Sequence, residues 1–459
     1  MQFSRREFLG GTAAAMAAAF VSHAWAAEEG KPLIKLALMS DPHVTDAHTQ
    51  EELRKAFAYA ASQDVDGVLV AGDLANNGRD AELKMFADAW YAVFPGSKNA
   101  RGEKVTVIGC YGNRDYRRSS ITQPGQREAE KDISIFSHPD AIWNKLFGEP
   151  IGDEWCVREI KGYKVVVAHW GFEKQLKDWI GKTGVKADET FFYVQHPHPG
   201  GTVFSGLAGT DKGPAAVLAG YPNCIALSGH SHRTITSEHA LWRGSFTSIA
   251  GGSTALVSAA FVENYENTGA KKQKKGAPPL RTPHMPVPEE LKCGGRNETL
   301  ILSLYADHMT IERHENNANE MAGPTWRLAR PFQGDKAQPY GDGAASDVPQ
   351  FPVGAKISVA EQKGANRAHK KEAQIAVSFP AAIPAAAAKG RVMDYEVCAV
   401  KDGQVVAREL VVSLNALKPM TQVTKPVVCV FGKDEIPEGV TWRATPRDYF
   451  GRTGKPIEG

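Results

Sequence analysis

The chain has 459 residues, too long for one typical domain and ample for a large core. Its 42% hydrophobic and 23% charged content excludes a disordered chain. A net charge of +2 excludes a protein-wide electrostatic footprint for nucleic acid, so nucleic acid is not an expected partner.

Residues 1–26 read as a leader. Arg5-Arg6 precedes Phe8-Leu9 and a mildly apolar Ala/Gly-rich run, and Ala24-Trp25-Ala26 offers the small residues a signal peptidase favours. Paired arginines before a weakly hydrophobic stretch resemble a twin-arginine export signal. The precursor is therefore expected to meet the twin-arginine export machinery, and the mature protein to be periplasmic or secreted. No other stretch approaches the ~20 apolar residues of a membrane span.

From Lys31 onward, short apolar runs alternate with helical patterns. LIKLALMS predicts a buried strand, and Thr49-x-x-Glu52 predicts a capping box ahead of Leu53, Phe57 and Ala60 at helical spacing. VDGVLVAG is the next strand, followed by a helix with Leu83, Phe86 and Trp90 on one stripe. KVTVIGCYG, YKVVVAHW, TFFYVQ and NCIALSG continue the strands, and NETLILSLYADHMTIER supplies late hairpin strands. This alternation predicts an α/β domain over 31–332. Residues 264–290, with their KKQKK run, read as a long exposed loop, and 333–350 as a linker. From 351 to 459, short strands with turn signals, among them Asp402-Gly403, predict a small all-β sandwich of the immunoglobulin or fibronectin type. Of the six cysteines, Cys110 and Cys224 read as core residues, while an oxidising compartment would allow Cys398 and Cys429 to pair.

The chemistry sits where the strands end. Asp41 and His43 lie in MSDPHV, Asp73 in LVAGDLANNG, Asn113 in GCYGNRD, His196 in FFYVQHPHP, and His230 and His232 in ALSGHSHRT. Ligands of open α/β sheets gather beyond the carboxyl ends of the strands, so these seven predict one site holding two metal ions. A donor set of oxygen and nitrogen without sulfur suits Fe, Mn or Zn.

This ordered set, and ALSGHSHRT above all, resembles the calcineurin-like metallophosphoesterases over Leu33 to about Phe246. The resemblance implies a four-layer α/β/β/α sandwich and hydrolysis of phosphate esters or anhydrides by a metal-bound hydroxide. It implies one metal on Asp41, His43 and His232, another on Asn113, His196 and His230, and Asp73 shared. A small-molecule or polymeric phosphate would be the substrate. The departure is Gly112-Asn113-Arg114-Asp115, where the family places a histidine after the asparagine. Arginine stays charged and cannot act as the acid, but it can clamp phosphate oxygens. Arg114 and Asp115 are therefore read as catalytic, with Arg114 also binding substrate. His198 or His169 is the other candidate acid, and His169 is also a candidate substrate contact. A second reading takes the same fold as a catalytically weakened phosphate-ligand or glycan-binding protein.

Overall fold

The computed structural model describes residues 30–116, 139–204, 212–257, 295–332, 348–366, 368–383, 392–418, 423, 425–449 and 452–459. The leader, the KKQKK run and most of the expected linker lie outside the described residues.

The first sheet has the order β12-β11-β10-β1-β2-β3. Its strands are β1 (Ile34–Met39), β2 (Gly67–Ala71), β3 (Thr106–Cys110), β10 (Glu298–Leu304), β11 (His308–Glu315) and β12 (Glu320–Ala329). The second has the order β4-β5-β6-β7-β9-β8. It contains β4 (Trp155–Ile160), β5 (Tyr163–Ala168), β6 (Phe191–Val194), β7 (Cys224–Ser228), β8 (Leu241–Arg243) and β9 (Thr247–Ala250). Strands β1 to β3 are parallel, as are β5, β6, β7 and β9. Parallel strands need both faces covered, which is why they read as continuous apolar runs.

Their residues divide by alternation. Leu36, Leu38, Leu69 and Ile108 meet Val165, Val167, Phe192, Val194, Ile225 and Leu227 between the two sheets. Ala37, Met39, Val68 and Val70 face outward against Phe57 of α1 (Ala47–Ser62), Phe86 and Trp90 of α2 (Asp80–Val93) and Trp143 of α3 (Pro139–Phe147). Val166, Phe191, Tyr193 and Ala226 face outward on the other side against Leu176 and Trp179. Helix, sheet, sheet, helix: this is the four-layer arrangement. Every ligand-bearing strand ends on the same edge of the sandwich.

Helix α1 starts differently from its sequence expectation. Asp46 is the N-cap, accepting from Thr49 N at 2.9 Å, while Thr49 Oγ1 accepts from Asp46 N at 3.1 Å. Glu52 is instead buried and accepts from Asn297 Nδ2 and Asn317 Nδ2 at 3.0 and 2.6 Å, fastening α1 to β10 and β11. An extended aspartate with a free carboxylate outcompetes Thr49 as cap.

Beyond residue 350 the strands are β13 (Ser358–Ala365), β14 (Lys371–Phe379), β15 (Val392–Lys401), β16 (Gln404–Val412), β17 (Val427–Gly432), β18 (Thr441–Asp448) and β19 (Ile457–Glu458). They form sheets of order β13-β14-β17 and β16-β15-β18-β19, which share a core of Val377, Phe379, Tyr395, Val397, Phe431 and Trp442. The β15–β16 hairpin turns on Asp402 and Gly403, at φ 51° and 75°. Two positive φ values match the strand twist, which is the reason for the Asp-Gly pair. Cys398 and Cys429 are free thiols, as are Cys110, Cys156 and Cys224. The two regions touch where His239 Nε2 donates to the Tyr449 carbonyl at 2.5 Å.

Arg313 on β11 is fully buried, yet fully engaged. Its guanidinium meets Glu238 Oε1 at 3.0 Å, the Ile235 and Thr236 carbonyls at 3.2 and 3.3 Å, and the Trp326 ring at 4.2 Å. Glu238 Oε2 accepts from Trp326 Nε1 at 2.7 Å. This cluster ties the segment after His232 to the first sheet. Arg313→Ala leaves Glu238 buried and uncompensated, so it should cost about 3–5 kcal/mol in urea unfolding, with Arg313→Met/Glu238→Gln costing less than the single change.

Candidate metal centre

The seven candidate ligands converge from loops after β1, β2, β3, β6 and β7. Five of them adopt left-handed backbone: Asp41, His43, Asp73, His230 and His232, at φ 51°, 45°, 50°, 68° and 53°. Side chains with a Cβ avoid this region at about 1–3 kcal/mol each, and such strain concentrates where function needs it. The turn reverses the chain at the strand end and aims each side chain into the gap between the sheets. Neighbouring loops hold one another in place. Asp41 N donates to Gly72 O at 3.1 Å, His43 N to Asp73 O at 2.9 Å, and Gly229 N to His196 O at 2.9 Å. The glycines before Asn113 and His230 are required by close approach. A Cβ on Gly112 would strike the Asp73 carboxylate, and one on Gly229 would strike Ser40 and Asp41 Oδ2.

Two ligand groups result. Asp41, His43, Asp73 and His232 form one, and Asp73, His196 and His230 the other, with ligand atoms within 4.8 Å of one another in each. Asn113 adjoins the second, its Oδ1 3.2 Å from His196 Nε2. Asp73 belongs to both: its Oδ2 lies 3.5 Å from His43 Nε2 and 3.3 Å from His196 Nε2. Asp41 Oδ1 is buried without a hydrogen-bond partner and faces His232 Nε2 at 3.1 Å. The Nε2 atoms of His43 and His232 point at each other across 3.1 Å. A buried carboxylate oxygen beside imidazole nitrogens turned toward one another is a donor set that fits cations. These residues fit a binuclear site.

The outer contacts set the imidazole tautomers. His196 Nδ1 donates to the Ala71 carbonyl at 2.8 Å, and His43 Nδ1 faces Asn76 Oδ1 at 3.1 Å. Each arrangement leaves Nε2 to the metal, as ligating histidines commonly require. Carboxylate orientation is fixed likewise. Asp41 Oδ2 accepts from Ser40 Oγ at 2.5 Å and His230 N at 2.9 Å, while Asp73 Oδ1 accepts from Arg114 N at 2.7 Å.

Without cations, His196 and His232 carry the compensating charge. Burial opposes a charged His196, but Asp73 and Asp41 outweigh it and raise its pKa to about 10. Burial also opposes the Asp41 charge, but His232 and His196 hold this carboxyl well below the ordinary range. His230, by burial and repulsion from His196, falls to about 4.

The other four predicted site residues sit differently. His198 is buried between two hydroxyls, Nδ1 2.8 Å from Ser228 Oγ and Nε2 2.7 Å from Ser231 Oγ, and burial lowers it to about 3. It fastens the loop carrying His230 and His232, with both ring nitrogens engaged by serine hydroxyls. His169 Nδ1 accepts from Tyr111 N at 2.9 Å, and its Nε2 donates to the Gly152 carbonyl at 3.0 Å. Burial lowers it to about 4, and its ring pins the backbone at Tyr111 to that at Gly152. Asp115 is fully buried and accepts from Leu74 N at 3.1 Å, Ala75 N at 2.7 Å and Gly112 N at 2.7 Å. Burial and the neighbouring Asp73 push its carboxyl up, against the pull of those three donors. It locks the Asp73 loop to the Asn113 loop. Arg114 is half-buried on the turn beside Asn113.

Ser40, Asn76 and Trp170 escaped the sequence reading. Trp170 lies 5.8 Å from the His196 ring and 5.3 Å from the His230 ring, flanking the second group. Its signal was its place directly after a strand-end histidine; Asn76 had only its nearness to Asp73.

Two outcomes follow from this geometry. Because His196 holds a proton in the metal-free site, loading must expel it, so metal-free protein binds more protons than loaded protein. Affinity for Mn or Zn should rise with pH between about 6 and 9, with about one proton released, read by calorimetry in buffers of different ionisation enthalpy. Equal heats in all buffers would contradict the assignment. Asp115→Asn should keep the fold by circular dichroism while weakening metal binding about 10–100-fold, as supporting contacts do; unchanged affinity would remove Asp115 from the positioning set.

Residues 34–234 match the family model for calcineurin-like phosphoesterases. A dimetal phosphatase from Danio rerio is 11% identical, over 65% of this chain and 99% of that one, with a TM-score of 0.37. A purple acid phosphatase from yellow lupin seeds is 11% identical, over 64% and 53%, with a TM-score of 0.40. No curated protein matches the chain. Family match and strand-end ligand set coincide on the same residues: residues 34–234, which carry both ligand groups, are similar to the calcineurin-like phosphoesterases.

Proposed function

We propose that this chain is an exported dimetal hydrolase of phosphate esters or anhydrides, with Fe, Mn or Zn in the site. The observation that carries the reading is Asp73, whose single Oδ2 stands within reach of both ligand groups. When bound, a metal pair activates water near neutral pH and stabilises the attacking and leaving oxygens of an in-line displacement. The chain's own residues do the rest. Asp41 and Asp73 each give one oxygen to the fold and keep the other for the centre. Asn76 and the Ala71 carbonyl fix the ring orientations of His43 and His196.

Proton transfer to the leaving group is where this chain differs. His198 and His169 are both engaged and uncharged, and Arg114 occupies the position of the family's histidine. A guanidinium there holds phosphate oxygens and offsets developing charge, without giving up a proton. Such a site favours leaving groups that depart unprotonated, as aryl phosphates and phosphoanhydrides do. Export rests on the Arg5-Arg6 leader and is tested by whether a twin-lysine variant remains in the cytoplasm.

Turnover of aryl and alkyl phosphate mono- and diesters with Mn, Fe and Zn tests the function. Metal-dependent hydrolysis absent from Asp73→Ala is expected. No turnover by a metal-loaded chain would favour the phosphate-binding alternative. Arg114→Ala should lower kcat/KM on aryl substrates about 10²–10³-fold, the usual loss for one charge-stabilising donor. Arg114→His should raise alkyl relative to aryl turnover; an unchanged ratio would mean Arg114 does not set leaving-group preference.

A further inference from the structure

Strand β13 is an open edge. In its sheet it pairs only with β14, in register from Ser358↔Ser378 to Ala365↔Lys371, and among the described residues no strand pairs with its outer side. It is eight residues long, and all but Gly364 are exposed, so both faces of the strand stand clear of the core. Val359 is 49% exposed on it. A long exposed edge invites another strand unless charge or shape forbids it.

The charges on β13 select a partner. Glu361 and Lys363 are two residues apart and point to the same face. Two copies pairing antiparallel about a two-fold axis must place residues of equal facing opposite each other, so their paired numbers sum to an even value. Centring on Glu361 or on Lys363 sets like charges directly opposite. Centring on Gln362 sets Glu361 of each copy opposite Lys363 of the other, twice. It also pairs Val359 with Ala365 and spans the strand from one to the other. A lone edge lysine would guard against pairing; a lysine with a glutamate two residues before it is complementary to its own copy.

We propose that β13 is a self-association edge, joining two copies of this chain in one antiparallel sheet centred on Gln362. Each Glu361–Lys363 cross pair contributes in the manner of opposed charges on facing strands. Glu361 also meets Lys433 of its own chain at 2.6 Å, so Lys363 is the residue whose charge acts across copies alone.

Sedimentation equilibrium of the full chain tests this. A dimer is expected, weakened about tenfold by Lys363→Glu and by Glu361→Lys, and restored when both changes are combined in one chain. Lys363→Glu leaves the Lys433 pair intact, so its effect cannot come from that contact. A chain monomeric at every loading concentration would overturn the proposal. So would a dimer indifferent to both single changes, or singles not rescued by the double.

Discussion

Three buried carboxylates govern the site. Asp41, Asp73 and Asp115 are 0%, 2% and 0% exposed, and like charges so close cannot all stay ionised without compensation. Asp115 receives three backbone donors. Asp41 and Asp73 are each satisfied on one oxygen and left open on the other, toward the same space. In the metal-free chain His196 answers that charge by holding a proton; two dications answer it more completely. The demand for positive charge is thus built into the backbone before any metal binds.

That demand constrains the fold around it. Carboxylates from β1 and β2 and imidazoles from β6 and β7 belong to different sheets, so the sheets must end together. Gly112 and Gly229 bring the loops close enough for side chains from one to rest on the backbone of another. The left-handed turns then aim the ligands inward. Strain at five residues persists because crossing hydrogen bonds over-determine each turn, from Asp41 to Gly72 and from Gly229 to His196. Further out, Arg313 and His198 fasten the segments on either side of His230 and His232.

Much of this was legible in the chain. Buried parallel strands read as apolar runs because both their faces are covered, and the ligands could be picked out because each directly follows such a run. Antiparallel edge strands were harder: β4, with four of its six residues half-buried, lacks a continuous apolar signature, and β12 alternates under a single covered face. The roles of His169 and His198 were hidden for another reason. A strand-end histidine is a ligand or a pin according to which hydroxyls and carbonyls the fold brings to its ring, and those partners lie 17 to 58 residues away. The contacts of Asp115 were hidden in the same way: its three donors come from two loops and leave no mark in the sequence.

Arg114 shows how a substitution at one position redistributes work without disturbing the scaffold. Its backbone N–H still serves Asp73, a duty any residue but proline performs, so the ligand geometry does not depend on the side chain. The side chain is then free to change what the site does to a leaving group. A histidine there would contribute only while protonated, whereas a guanidinium is charged throughout the ordinary pH range. On the proposed reading, a fixed charge at this position would stabilise developing charge without delivering a proton. The described histidines nearby are candidate ligands or are held on both ring nitrogens, as His198 and His169 are.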